Sequence, residues 1–155
     1  MRRLIAASLS AFLLLAIPVE AGLASKKTMY VGGTLTAIKE HAEGVCSTND
    51  EKTFVFDYKE GKLNVPYSRI NDLEYGQKAG RRLGLALTVS PWLLLSKKRK
   101  HFLTIGFQDE NDKQQAAVFE LGKDIVRTTL ASLEARTGKK IDFQDEEARK
   151  SGVGN

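Results

Sequence analysis

Between Thr28 and Leu121 apolar side chains recur at every second position in short runs, and polar clusters break the runs apart. A period of two sends alternate side chains to opposite faces, so the pattern commits most of the chain to strands. In TMYVGGTLTAIK, Met29, Val31, Leu35 and Ala37 alternate with Tyr30, Thr34, Thr36 and Ile38, which predicts one strand with both faces partly apolar. Lys39 to Gly44 (KEHAEG) reads as a polar turn, and VCSTN as a short strand turned by Asn49-Asp50-Glu51. TFVFDY sets Phe54, Phe56 and Tyr58 on one face, and LNVPY sets Leu63, Val65 and Tyr67 together, with Lys59 to Lys62 as the hairpin loop between them. Pro66 has no N–H to give a ladder, which predicts an edge or a bulge there. Ile70 to Tyr75 supplies a further strand. His101, Leu103, Ile105 and Phe107 then alternate with Phe102, Thr104 and Gly106, DENDK (Asp109 to Lys113) turns the chain, and QAAVFEL returns it.

The period changes once. In GKDIVRTTLASLEARTG, Ile125, Val126, Thr129, Leu130 and Leu133 fall on one helical stripe, with Asp124 near the positive end of the dipole and Gly138 placed to end the helix. The segment from Gln144 is charged and glycine-ended, and is expected to be a flexible tail over 144–155. A β domain over 28–143, with six or seven strands closed by one amphipathic helix, accounts for the remainder. A chain of 155 residues is sized for one such domain.

The first residues follow a different logic. Arg2 and Arg3 precede an uncharged, largely apolar run from Leu4 to Ile17, Pro18 ends it, and Val19-Glu20-Ala21 offers small residues for cleavage. This is the pattern of a secretory signal peptide over 1–21, with a second possible cut as late as residue 24. The apolar run is short for a hydrocarbon core of ~30 Å, so a retained anchor is the lesser alternative. The expected location is exported, periplasmic or secreted and peripheral to a membrane. Cys46 is the only cysteine, which excludes an internal disulfide and leaves the fold to its core. A buried thiol is the ordinary expectation for such a residue, and pairing between two chains is the sharper one.

VPYSRINDLEYG and HFLTIGFQDENDKQQAAVFELGKDIVRTTLASLEARTG resemble pleckstrin-homology-like domains, in particular small bacterial PH-like and GRAM-type modules, over roughly 28–141. The likeness lies in the order of apolar positions. It implies a mainly β fold: a bent antiparallel barrel of about seven strands with one C-terminal capping helix, used for binding more often than for catalysis. Members that recognise phosphoinositides carry basic residues in the first hairpin loop. KEHAEG departs from that, so phosphoinositide recognition is not implied.

Catalytic patterns are sparse, and the chain reads as a non-enzyme without a cofactor. It has two histidines, His41 and His101, and no nucleophile elbow, zinc-protease, P-loop or dinucleotide motif. Glu40, His41, Glu43 and Cys46 are ligand types for zinc, but their spacing matches no metal pattern and a polar hairpin tip explains them. His101 opens a strand with no acid beside it in sequence, and Ser90 has no visible activator. Tyr30, Tyr58, Tyr67 and Tyr75 each sit in a strand pattern, as core residues do.

One segment resists this plain reading. GRRLGLALTVSPWLLLSKKRKH (Gly80 to His101) is an oily run between basic clamps. No acidic residue lies between Tyr75 and Asp109, while Lys78, Arg81, Arg82, Lys97, Lys98, Arg99 and Lys100 all do. Without the leader the chain carries 22 basic and 18 acidic residues, about +4; without those seven cations it would stand near −3. Leu83 to Leu95 as a helix would rise only ~20 Å, and Pro91 interrupts it, so a transmembrane span fits poorly. Leu83, Leu85, Leu87 and Val89 opposite Gly84, Ala86 and Thr88 suit a buried strand. The same residues suit a hairpin dipping into a membrane interface, with Arg81, Arg82, Trp92, Leu93, Leu94, Lys97, Lys98, Arg99 and Lys100 as contacts. The partners expected on that reading are an anionic lipid surface or, alternatively, an envelope protein bound without lipid. The basic block is not interleaved with aromatics and follows an export leader, which argues against nucleic acid.

Overall fold

The structure is a computed structural model and describes residues 28–77, 88–89 and 100–154. Among them run β1 (Thr28–Gly33), β2 (Ala42–Ser47), β3 (Thr53–Tyr58), β4 (Gly61–Pro66), a 3₁₀ turn (Tyr67–Arg69), β5 (Ile70–Gly76), β6 (Thr88–Val89), β7 (Phe102–Gln108) and β8 (Gln114–Leu121). Helix α1 (Val126–Thr137), the short β9 (Asp142–Phe143) and helix α2 (Glu146–Val153) complete the chain. The strands form one sheet in the order β4-β3-β2-β1-β8-β7-β5-β9, and β6 joins it at β1. All neighbours are antiparallel except β9, which runs parallel to β5. The fold is therefore mainly β with helices toward the C-terminus. Among the described residues the sheet is not closed, since β4 and β9 end the path without pairing to each other.

The first predicted strand is half as long as its alternation suggested. β1 stops at Gly33, because Gly32 and Gly33 take φ values of 150° and 147°, a region open to glycine and hardly to other residues. A Cβ on Gly33 would collide with the Ala116 carbonyl oxygen, so the close approach of β8 also needs a glycine there. The register against β8 shifts between Tyr30 and Gly32, the signature of a bulge. Residues 34–41 loop back, His41 takes φ 66°, and β2 starts at Ala42, inside the segment read as a polar turn. Leu35 and Ile38 mimic a strand in sequence because the loop turns both toward the core.

Later elements follow the sequence pattern closely. β3 and β4 join through Lys59 and Glu60, with Tyr58 opposite Gly61. β4 ends the sheet path, which places Pro66 on an edge strand. Asp109 holds the β7–β8 turn by accepting the N–H groups of Asn111 (2.9 Å) and Lys113 (3.0 Å), an Asx-type lock. Its carboxyl is held below its ordinary value, first by the Gln115 side-chain amide and then by the Lys113 backbone.

Helix α1 buries Val126, Thr129, Leu130 and Leu133, four of the five stripe residues, while Ile125 caps it without a side-chain bond. Gly138, at φ 68°, ends the helix and sends its N–H to the Glu134 carbonyl. The core gathers on Phe119, whose ring lies 5.0 Å from Phe56, 5.7 Å from Phe54 and 5.9 Å from Tyr30 between centroids. Such tilted and edge contacts add to burial. A second, smaller cluster of Val31, Phe102 and Val118 lies on the other side, and β7 is buried on both faces from Phe102 to Phe107.

The segment expected to fray differs. Glu146–Val153 is helical, Asp145 caps it by accepting the Ala148 N–H at 2.7 Å, and Ala148 and Gly152 are buried. A charged composition hid this helix because the face it buries consists of small residues.

Phe119→Ala is expected to cost about 3–5 kcal/mol of unfolding free energy in urea titration, the range for losing a large aromatic from a packed core. Val153→Ala, at a side chain 63% exposed, should stay within about 0.5 kcal/mol of wild type.

Candidate functional site

Of the residues singled out for contact, Arg81, Arg82, Trp92, Leu93, Leu94, Lys97, Lys98 and Arg99 lie outside the described residues, as do Ser90, Pro91 and the segment expected to be a signal peptide. Two parts of the Gly80–His101 segment are described. Thr88 and Val89 form β6, with Val89 opposite Gly32 and Thr88 opposite Gly33. β1 and β5 stand three strands apart in the sheet, roughly 14 Å at ~4.8 Å per strand. The chain leaving Gly76 therefore crosses to β1, pairs there, and comes back to β7 beside its starting strand. A continuous helix from Leu83 to Leu95 is incompatible with that pairing. Among the described residues no helix is long and apolar enough to cross a membrane.

Lys100, followed by His101, opens the other described part. Its ammonium meets the Glu120 carboxylate at 2.8 Å, with the two side chains 22% and 24% exposed. This cation is engaged within the fold, which sets it apart from the surface contacts expected of its block.

The end of β1 and the loop after it form a cleft of about 430 Å³, lined by Tyr30, Gly32, Gly33, Leu35, Ile38 and Glu40 together with two threonines. That volume lies within the ~300–1,000 Å³ of small-molecule sites. The Tyr30 hydroxyl donates to the Leu35 carbonyl at 3.4 Å. Its pKa is pushed up to about 12, mainly by burial, with the Leu35 hydrogen bond opposing and Glu40 adding to the rise. Tyr30 is thus a protonated donor. Thr34 takes the Ala116 N–H at 2.9 Å and bonds to Gln115, which fixes the cleft wall to β8. The described residues that line the cleft offer hydrogen bonds and one carboxylate, and among them no nucleophile is paired with a base.

The four residues weighed for metal do not converge. His41 and Glu43 are exposed, and Glu43 and Cys46, three apart on β2, point to opposite faces. Among the described residues no three His, Cys, Asp or Glu side chains gather as a metal site. Cys46 is half-buried and packs against the core. Burial pushes its thiol up to about 12, with the Thr28 hydroxyl pulling the other way.

One constellation escaped the sequence. The Tyr75 hydroxyl lies 2.6 Å from His101 Nδ1 and 3.3 Å from Ser151 Oγ, joining residues 26 and 76 positions apart. The two rings are nearly parallel, at 8° with centroids 6.2 Å apart. His101 is held below its ordinary value by burial first and Lys123 second, with Glu120 opposing. Tyr75 is raised by burial, with Ser151 opposing. No local spacing could reveal this cluster, since the sheet register alone assembles it. No family model matches the chain, and no curated protein matches it.

A thiol with pKa near 12 holds far less thiolate at pH 8 than a free cysteine at ~8.5. Iodoacetamide should label Cys46 at least roughly tenfold more slowly in the native chain than in urea, and nonreducing gels should show monomer. Because the folded pKa is raised, the thiol's contribution to stability is complete below ~8.5 and fades as pH climbs toward about 12.

Proposed function

We propose that this chain is an exported, non-enzymatic PH-like binding or scaffolding module that docks peripherally on anionic membrane surfaces through its 81–100 segment. What supports the PH-like reading is the strand order, with β1 between β2 and β8, and a helix directly after the last hairpin. The observation that carries the docking reading is β6. Thr88–Val89 ties the middle of the oily segment to β1, while both ends of the segment return to neighbouring strands, β5 and β7. The segment thus leaves from and returns to adjacent strands of the sheet, which suits docking as a monotopic hairpin. Each Lys or Arg near an anionic leaflet adds on the order of 1 kcal/mol, and Trp92 suits the headgroup depth. The leader pattern supports export.

The test uses the chain from residue 22 onward and vesicles of phosphatidylcholine with and without phosphatidylglycerol. The protein should float with the anionic vesicles at 50 mM salt and markedly less at 500 mM, and its single tryptophan should shift to the blue on binding. Lys97→Gln, Lys98→Gln and Arg99→Gln together should weaken flotation at least about tenfold, given three lost cations at ~1 kcal/mol each. Wild type that stays in the pellet fraction, or a triple variant that floats equally well, refutes membrane docking. In that case the module binds a protein partner through the same segment.

A further inference from the structure

We propose that residues 77–99 pack over the outer face of the sheet, on the strip formed by Val31, Phe102, Thr104 and Val118. The inference concerns the segment in the absence of lipid, and stands whether or not the module docks on a membrane.

The sheet is buried on two faces. Leu73, Leu103, Ile105 and Phe119 belong to the main core, where α1 and α2 also place their buried residues. Their neighbours along the strands point the other way. Cross-strand register lines Glu74, Thr104, Val118 and Gly32 into one row across β5, β7, β8 and β1. In that row Thr104 and Val118 are 1% and 0% exposed, and beside it Val31 and Phe102 are 0% and 3% exposed. Side chains standing off a sheet face are hidden this far only by a second layer. The cluster of Val31, Phe102 and Val118, with Met29 against it, draws its members from β1, β7 and β8 alone. Among the described residues, both helices and the loop after β1 pack on the opposite cluster. The covering layer therefore comes from elsewhere.

The stretch 77–99 is fixed at three points around this face. It leaves β5 at Gly76, opposite Phe102. Its middle pairs with β1, where Val89 stands opposite Gly32, at the far end of the Glu74–Thr104–Val118 row. It rejoins the sheet at Phe102, the border it left. Between Gly76 and Thr88 it crosses β7 and β8, a lateral step of roughly 14 Å at ~4.8 Å per strand. Residues 77–87 extended would span up to roughly 36 Å, enough for that step. The core side of these strands is filled by Phe119 and the helices, so the route runs over Phe102 and Val118.

The chemistry agrees with the route. An uncharged, leucine-rich run over 83–96 meets an apolar strip. Arg81, Arg82, Lys97, Lys98 and Arg99 flank the run, and the carboxylates of Glu43, Glu74 and Glu120 stand at the margins of the strip. Lys100 already meets Glu120 at 2.8 Å. Residues 1–27 are tied to the sheet at one point, Thr28, and a second copy at none.

Photocrosslinking on the full chain, without lipid, identifies the cover. With p-azidophenylalanine in place of Phe102, and in a second variant in place of the half-buried Met29, irradiation should link the probe within one chain to the tryptic peptide 83–97. In a Cys46→Ala chain, the thiol of Val118→Cys should react with iodoacetamide at least about tenfold more slowly in native conditions than in urea, at low and high protein concentration alike. Links from the folded variants to residues 1–27 or to a second chain, with none to 83–97, overturn the proposal. So does a Val118→Cys thiol that reacts as fast natively as in urea, or one whose protection is lost on dilution, which marks a second copy as the cover. Vesicle flotation can fail while both expected results hold, so the two proposals fall separately.

Discussion

A strand has two edges, and β1 divides its two among three partners. Along one edge it pairs with β8 from Thr28 to Gly33; along the other it pairs with β2 as far as Tyr30 and with β6 at Gly32 and Gly33. The exchange of partners occurs at the bulge, where the extra residue swings β1 away from β2 and opens its edge. Gly32 and Gly33 make that possible, by their φ values and by the contact with the Ala116 carbonyl. The rest of the molecule follows from this junction. The β2–β3–β4 hairpins continue to one side, β8–β7–β5 to the other, and the cleft under Leu35 and Ile38 opens where β2 departs. The oily segment gains its one described strand pairing at the same two residues.

The sequence made the β character, the β7–β8 hairpin and helix α1 plain, because each rests on a local period with clear punctuation. Asp109 to Lys113 could only be a turn, and Gly138 could only be an end. Two other features were hidden for physical reasons. Leu35 and Ile38 kept the alternation going past the end of β1, since a loop folded over a core needs apolar side chains as a strand does. The glycine pair was the available signal, as this bulge needs positive φ and alternation does not report it. Helix α2 was hidden because its buried face is Ala148 and Gly152, which carry almost no hydropathy. Its caps were legible all the same, with Asp145 before Glu146 and Glu147, and Lys150 in the last turn.

The candidate sites divide the same way. The basic clustering around the oily segment is compositional, and counting residues finds it. The His101–Tyr75–Ser151 chain is a product of register. Tyr75 stands opposite Leu103 on β7, which brings the start of β7 alongside it, while parallel β9 delivers α2 to the other side. Reading the residues singly, as core tyrosine, structural histidine and tail serine, was silent about their meeting.

His101 occupies an informative place in this arrangement, directly after the basic block and next to Phe102, the residue that stands opposite Glu120. The carboxylate that binds Lys100 is therefore also a counter-charge to His101. One acid thus serves two cations. While Lys100 holds it, the imidazole has little compensation, and burial with Lys123 keeps its proton affinity below the ordinary histidine value.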